Sequence, residues 1–142
     1  MGSALAEEHL GHPPRVAVLN IGAEEIKGND LVKRCAEMLS QTDAINFVGY
    51  IEGNQILHDV ADVIVCDGFV GNVCLKASEG TAQLFIEKLK TSMMASTIKG
   101  WIARKLFSRL FNELKTLNPD QYNGASLLGL RGIVIKLSLI HI

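Results

Sequence analysis

Three short apolar runs, the first and third ending in a glycine-rich polar loop, constrain the fold most. Arg15-Val-Ala-Val-Leu-Asn20 is continuous in apolar residues, the pattern of a strand buried on both faces rather than one facing water. Ile45-Asn-Phe-Val-Gly49 reads as a second strand, and Val60-Ala-Asp-Val-Ile-Val-Cys66 as the third and clearest. Between the first two, Leu31, Cys35, Met38 and Leu39 recur at helical spacing. The spacing predicts a helix over Leu31 to Gln41, with Asn29 or Asp30 as its N-cap. Ala4 to Leu10 reads as the end of a helix broken by Pro13 and Pro14. Asn54 to His58 reads as a helical turn. Asp67 to Asn72 reads as a turn before a long helix from about Val73 to Leu89. Strands alternating with helices at this spacing predict a mostly parallel α/β sheet covered by helices.

The rule that ligands bind beyond the carboxyl ends of such strands puts two loops on one rim. The first is Asn20-Ile-Gly22-Ala-Glu24-Glu25-Ile-Lys27-Gly28-Asn29, and the second is Asp67-Gly68-Phe-Val-Gly71-Asn72. Glycine permits tight turns and close approach of backbone to a ligand. The second loop opens into a helix, whose first N–H groups suit a phosphate. Lys27 offers a positive charge, and Asn20, Asn29 and Asn72 offer donors for a carbonyl or phosphate oxygen. Neither loop is a P-loop or a dinucleotide fingerprint. Each candidate has a plain structural alternative. Lys27 reads equally as a solvated charge, Asp67 as a helix cap, and Glu24 with Glu25 as part of an ordinary charged loop. Cys66 stands where a nucleophile would, yet no histidine is near it in sequence, and a small thiol packed under the sheet is the better reading.

The chain has 142 residues, 48% hydrophobic and 20% charged, with net charge −1. That is core enough for one domain and no bulk attraction for nucleic acid. No apolar run reaches the length of a membrane span, and Met1 to Glu8 lacks the layout of a signal peptide. Three cysteines without paired spacing point to a reduced, cytosolic setting. The four histidines do not cluster with them, so no metal site is expected; no cofactor is expected either.

The strings at 20–29, at 61–72 (Ala-Asp-Val-Ile-Val-Cys-Asp-Gly-Phe-Val-Gly-Asn) and at 124–136 (Gly-Ala-Ser-Leu-Leu-Gly-Leu-Arg-Gly-Ile-Val-Ile-Lys) resemble the PlsX family, the phosphate acyltransferases of bacterial phospholipid synthesis. The resemblance runs over 1–136, and the opening Met-Gly-Ser-Ala resembles an internal segment of that family. It implies a Rossmann-like three-layer α/β/α sandwich, here its partial C-terminal half. It implies a homodimer that converts acyl-[acyl carrier protein] and inorganic phosphate to acyl phosphate, with a membrane glycerol-3-phosphate acyltransferase as the recipient. It implies Lys27 and Asn72 as catalytic residues. Around them, Asn20, Gly22, Glu24, Gly28, Asn29, Asp67, Gly68 and Gly71 are expected to bind phosphate or substrate. The family's chain is more than twice this length, so this chain alone is expected to be inactive. Its last residues, 137–142, depart from the family pattern and are read as a non-native tail, and His141 is not taken as the family's histidine.

Residues 97–115 place Ile98, Trp101, Ile102, Leu106, Leu110 and Leu114 on one helical stripe, widened by Phe107 and Phe111. Lys99, Arg104, Lys105, Arg109 and Lys115 face one acid, Glu113. Such a face suits an anionic membrane surface or the acidic carrier protein. It suits equally a helix packed on the core or on a subunit partner. The resemblance implies a protruding amphipathic helical hairpin over about 90–117, with Trp101, Arg104, Lys105, Phe107 and Arg109 as contacts. Localisation is then cytoplasmic, peripheral to the inner face of the cell membrane. Two competing functions stand beside this one. The first is a phosphate acetyltransferase-like enzyme using a coenzyme A thioester. The second is a non-catalytic module that binds membrane or carrier protein.

Overall fold

The computed structural model describes residues 1–94 and 125–136. The order is α1 (Gly2–Leu10), β1 (Arg15–Leu19), α2 (Asp30–Ser40), β2 (Asn46–Ile51), a 3-10 turn (Gly53–Gln55), β3 (Val63–Val65) and α3 (Gly68–Met94). A short pair follows, β4 (Ala125–Ser126) and β5 (Ile135–Lys136). The chain divides into two units, Met1–Cys74 and Leu75–Ile142.

In the first unit, β1 is the middle of a three-stranded sheet ordered β2-β1-β3, with both pairings parallel. This is the α/β class that the alternating pattern requires. Successive side chains of a strand point to opposite faces. Val16, Ala17, Val18 and Leu19 are all buried, so both faces of β1 are covered, which explains its unbroken apolar sequence. Ala17, Leu19 and Ile51 form one cluster, with Ile56, Ala61, Ile64 and Cys74 packed against it. Burying a side chain such as Ile51 stabilises the fold by roughly 1.5–3 kcal/mol. α2 lies on β1 and β2, and α1 lies on β3. Gly2 is the close approach there: a Cβ on it would stand 3.7 Å from Val63 Cγ1.

β2 is not in phase with β1 throughout. Val16 pairs with Phe47 but Ala17 pairs with Gly49, leaving Val48 as an extra residue. This is a β-bulge, which needs an unusual backbone conformation at one residue. Gly49 supplies it with φ +97. The bulge also lets the strand run on to Ile51, two residues beyond the Gly49 end expected from sequence.

The sequence's clearest strand is the shortest of the three. The apolar run suggests Val60–Cys66, but only Val63–Val65 pairs. Its first residues are diverted into an ionic clamp on Arg15. Asp62 Oδ2 accepts from the Arg15 main-chain N–H at 2.7 Å and from Nε at 3.0 Å, and Oδ1 accepts from Nη2 at 2.8 Å. Asp59 takes the other side of the guanidinium through its carbonyl oxygen and its carboxylate. Val60 N–H closes a tight turn on His58 O at 2.7 Å. The Asp62 main-chain N–H still donates to the Arg15 carbonyl oxygen at 2.9 Å, so main-chain bonding to β1 begins at Asp62, while residues 59–61 turn away from β1.

α3 starts five residues before the expected Val73. Asp67 Oδ1 accepts from the N–H of Phe69 (2.9 Å) and of Val70 (3.0 Å). This caps the helix at Gly68, and the glycines at 68 and 71 do not prevent it. In the second unit, 125–136 folds into a small antiparallel hairpin, with Leu127 N–H on Val134 O at 2.8 Å and Gly129 at φ +86. Its Leu127, Leu130 and Ile133 are exposed. The basic amphipathic segment 97–115, the expected hairpin helices and the tail 137–142 lie outside the described residues.

Two predictions follow from the bulge and the clamp. Nothing stands within 4 Å of a Cβ on Gly49, so Gly49→Ala meets only the backbone cost, about 1–3 kcal/mol. Gly53 is equally open but has no positive φ, and Gly53→Ala is expected to be near neutral. Urea midpoints at unchanged slope measure both. For the clamp, the Arg15 guanidinium and its main-chain N–H hold the Asp62 carboxyl at about 2, below its ordinary 3.8. A depressed carboxylate contributes stability above its unfolded value and loses it as pH falls through the folded value. The melting temperature of the parent is therefore expected to fall from about pH 4 to about pH 2. Asp62→Asn should start lower, and its deficit should close over that same interval. A deficit independent of pH would refute the clamp.

Candidate functional site

The sheet order sets the location of the site. After β1 the chain adds β2 on one side, then returns past β1 to place β3 on the other. Where the winding reverses, the loops at the carboxyl ends part and leave a crevice. A pocket of about 630 Å³ occupies this position. Leu19, Asn20 and Ile21 line it from the end of β1, Glu52 and Gly53 from β2, and Cys66 and Asp67 from β3. Gly28, Asn29 and Val32 close one side, and Val70 and Cys74 of α3 another.

The first loop is fixed at its base by Asn20, whose side chain is buried. Its Oδ1 accepts from Ile21 N–H at 2.8 Å, and its Nδ2 donates to the carbonyl oxygen of Lys27 at 3.2 Å. The main-chain N–H of Asn20 donates to Ile51 O at 2.9 Å. Asn20 thus joins the loop, β1 and β2, and one Nδ2 hydrogen is spent doing so. Gly28 makes the closure possible. Its φ is +89, and a Cβ there would run into the Asn20 carboxamide. Asn29 caps α2, its Oδ1 accepting from Val32 N–H at 2.9 Å.

Lys27 does not line this pocket. Its ammonium lies 2.8 Å from Glu24 Oε1, and its main-chain N–H donates to Glu24 O at 3.0 Å. Glu24 raises the Lys27 ammonium above its ordinary value, and Glu52 adds to the effect. The Glu24 carboxyl is lowered in turn, by Lys27 first. Gly22 is buried beneath the pair.

The second rim loop is helical from Gly68 on. The N–H groups read from sequence as phosphate donors are partly spoken for: Phe69 and Val70 give theirs to Asp67 Oδ1, and Gly71 to Asp67 O at 2.9 Å. Asn72 is exposed on α3, outside the pocket lining. Cys66 is exposed rather than packed under the sheet. β3 ends at Val65, which leaves Cys66 beyond the ladder on the rim. Its Sγ is tucked against Gly71, where a Cβ would stand 2.9 Å away. Partial burial, Asp67 and Cys74 together push the thiol up from its ordinary value, which disfavours the thiolate a nucleophile needs.

Of the residues expected at the site, Asn20, Gly28, Asn29 and Asp67 meet at the pocket, and Gly22 and Glu24 stand beside it with Lys27. Trp101, Arg104, Lys105, Phe107 and Arg109 lie outside the described residues. Sequence reading missed Glu52 and Gly53. The strand-end rule that placed the other two loops applies equally to the end of β2 and would have found them. Glu52 opens the 3-10 turn as a capping box, its N–H donating to Gln55 Oε1 at 2.9 Å. Among the described residues, no cluster of three or more His, Cys, Asp or Glu side chains could hold a metal ion, and no helix is long and apolar enough to cross a membrane.

The family model for "Fatty acid synthesis protein" matches residues 1–138. The chain is 99% identical over 136 residues to a phosphate acyltransferase of Vibrio campbellii, covering 96% of this chain and 40% of that protein. It is 98% identical to one of Vibrio parahaemolyticus and 85% identical to one of Vibrio cholerae serotype O1, with the same coverage. It thus spans two fifths of the length of these relatives. With the match extending over nearly its whole length, the chain belongs to the fatty acid synthesis protein family.

Proposed function

We propose that the chain carries part of the phosphate site of an acyltransferase that makes acyl phosphate from acyl-[acyl carrier protein] and inorganic phosphate, for bacterial phospholipid synthesis. The observation that carries this reading is a pocket at the switch point of the sheet, walled by Asn20, Asn29, Glu52 and Asp67 among apolar side chains, with Lys27 one residue from its wall, in a chain whose relatives are named phosphate acyltransferases. In this scheme a phosphate oxygen attacks the thioester carbonyl. A carbon–oxygen bond forms, the carbon–sulfur bond breaks, and the carrier protein leaves as its thiolate, which takes up, directly or through water, the proton that hydrogen phosphate gives up. The protein's task is positioning and charge stabilisation, without a covalent enzyme intermediate. Lys27 holds phosphate and polarises the carbonyl. Asn72 orients phosphate or supports the oxyanion. The raised Cys66 thiol agrees with phosphate, not sulfur, as the nucleophile.

On this reading residues 1–136 are the C-terminal part of one acyltransferase domain, which works as a homodimer. Its partners are the acyl carrier protein, an anionic membrane surface and the membrane glycerol-3-phosphate acyltransferase that takes the product. It sits in the cytoplasm against the inner face of the membrane, held through Trp101, Arg104, Lys105, Phe107 and Arg109. The chain alone is inactive, and activity requires the remainder of the length its relatives have.

A chimera in which residues 1–136 are joined to all the length of the Vibrio campbellii relative that they lack tests the chemistry, with phosphate-dependent release of carrier thiol as the readout. Lys27→Ala and Asn72→Ala should each lose about 100-fold in kcat, the scale set by loss of one positioned donor. An active chimera indifferent to both changes would discard these residues. Measurable turnover by the chain alone would discard the need for the rest. For the membrane contact, Trp101→Glu with Phe107→Glu should abolish sedimentation of the chimera with anionic vesicles. Unchanged sedimentation would return both residues to packing.

A further inference from the structure

Lys27 is held away from the pocket by a berth that fits it closely. Its Nζ lies 2.8 Å from Glu24 Oε1. A Cβ on Gly22 would stand 2.9 Å from that Nζ and 2.7 Å from Glu24 Oε2, and would collide with Lys27 Cδ. Only glycine at position 22 leaves room for the pair to fold down over the loop. The next two residues, Gly28 and Asn29, are in the pocket wall, and the Lys27 carbonyl is tied to Asn20. The backbone of Lys27 is therefore fixed at the rim, while its ammonium is turned onto an acid of its own loop. We propose that Glu24 is a built-in stand-in for the anion, holding Lys27 stowed against Gly22 until a divalent oxyanion enters the rim pocket and takes the ammonium over.

This rests on the reading of Lys27 as the phosphate-holding residue. The pair suits such an exchange because it is weak. The side chains of Lys27 and Glu24 are 44% and 57% exposed, and ion pairs this open to water contribute little. An oxyanion with two charges and several acceptor oxygens outcompetes one carboxylate, whereas a monovalent anion does not. Glu24 and Glu52 together add negative charge to the rim, since Glu52 lines the pocket and acts on the same ammonium. The carboxylate thus lowers affinity for every anion and raises selectivity for the doubly charged one.

The test uses the whole chain and inorganic phosphate, titrated calorimetrically at constant ionic strength, with chloride as the monovalent competitor. Glu24→Gln should bind phosphate about two- to fivefold tighter, the scale of an exposed ion pair, and should become sensitive to chloride. Glu24→Asp, which keeps the charge, should stay close to the parent. In a Lys27→Ala background, Glu24→Gln should gain clearly less than in the parent, because the part of its effect that runs through the ammonium is gone and only the relief of direct repulsion remains. The Lys27 Nζ resonance of the unaltered chain gives a second readout, shifting with phosphate and not with chloride. Unchanged or weaker phosphate binding by Glu24→Gln, with Lys27→Ala still defective, would overturn the role of Glu24 and leave the phosphate reading standing. Binding unaffected by Lys27→Ala, or no binding by any form, would overturn both.

Discussion

Because β1 is hydrogen-bonded along both edges and buried on both faces, its carboxyl end is the fixed point from which the rim is measured. Asn20 follows directly on that end and extends the constraint. Its main chain ties to the end of β2, and its side chain ties to both ends of the Ile21–Lys27 loop. A buried polar side chain must find partners, and here the search for partners shapes the loop. The pocket, the direction of Lys27 and the start of α2 at Asn29 all derive from a carboxamide placed at the end of a strand that has no freedom to move.

The elements read well from the sequence where one physical requirement acted alone. β1 needed burial on both faces, and its composition said so. Asn29 needed only to precede a helical period. The reading failed where a side chain had a competing use. The apolar run 60–66 is shortened at its start, where Val60 closes a turn on His58 and Asp59 and Asp62 hold the Arg15 guanidinium. The loop 67–72 became helix because Asp67 capped it, although its two glycines suggested a turn. Cys66, one residue past the shortened strand, followed the same shift onto the surface. None of these choices is visible in hydrophobic periodicity, since each turns on what a polar side chain bonds: Arg15 far along the chain for Asp59 and Asp62, and the N–H groups just ahead of it for Asp67.

The site was legible as a rim but not as an arrangement of charges. Gly and Asn at strand ends marked both loops, and Asn20, Gly28, Asn29 and Asp67 do meet there. Sequence could not say that Lys27 would pair within its own loop, since Glu24 and Glu25 both stand within reach. The helix-cap alternative offered for Asp67 is the one the structure takes, and it gives the first N–H groups of α3 to that side chain. The rim that results is rich in carboxylates, with Glu24, Glu52 and Asp67 around a single loop lysine. An anion entering it must be preferred over acids already present, which favours ligands with high charge density.

The bulge at Val48 separates the two ends of β2 in a way that reaches beyond packing. Before it, Asn46 and Phe47 keep one phase with β1, and after Gly49 the strand keeps another. A residue deleted at Val48 would bring the two halves into one phase and leave Tyr50, Ile51 and Glu52 where they stand. The same deletion after Gly49 would draw Glu52 back into the ladder and empty one wall of the rim. Tolerance to changes in chain length should therefore differ sharply across a few positions of one strand, with the connection from α2 free to vary and the approach to the rim held to a fixed count.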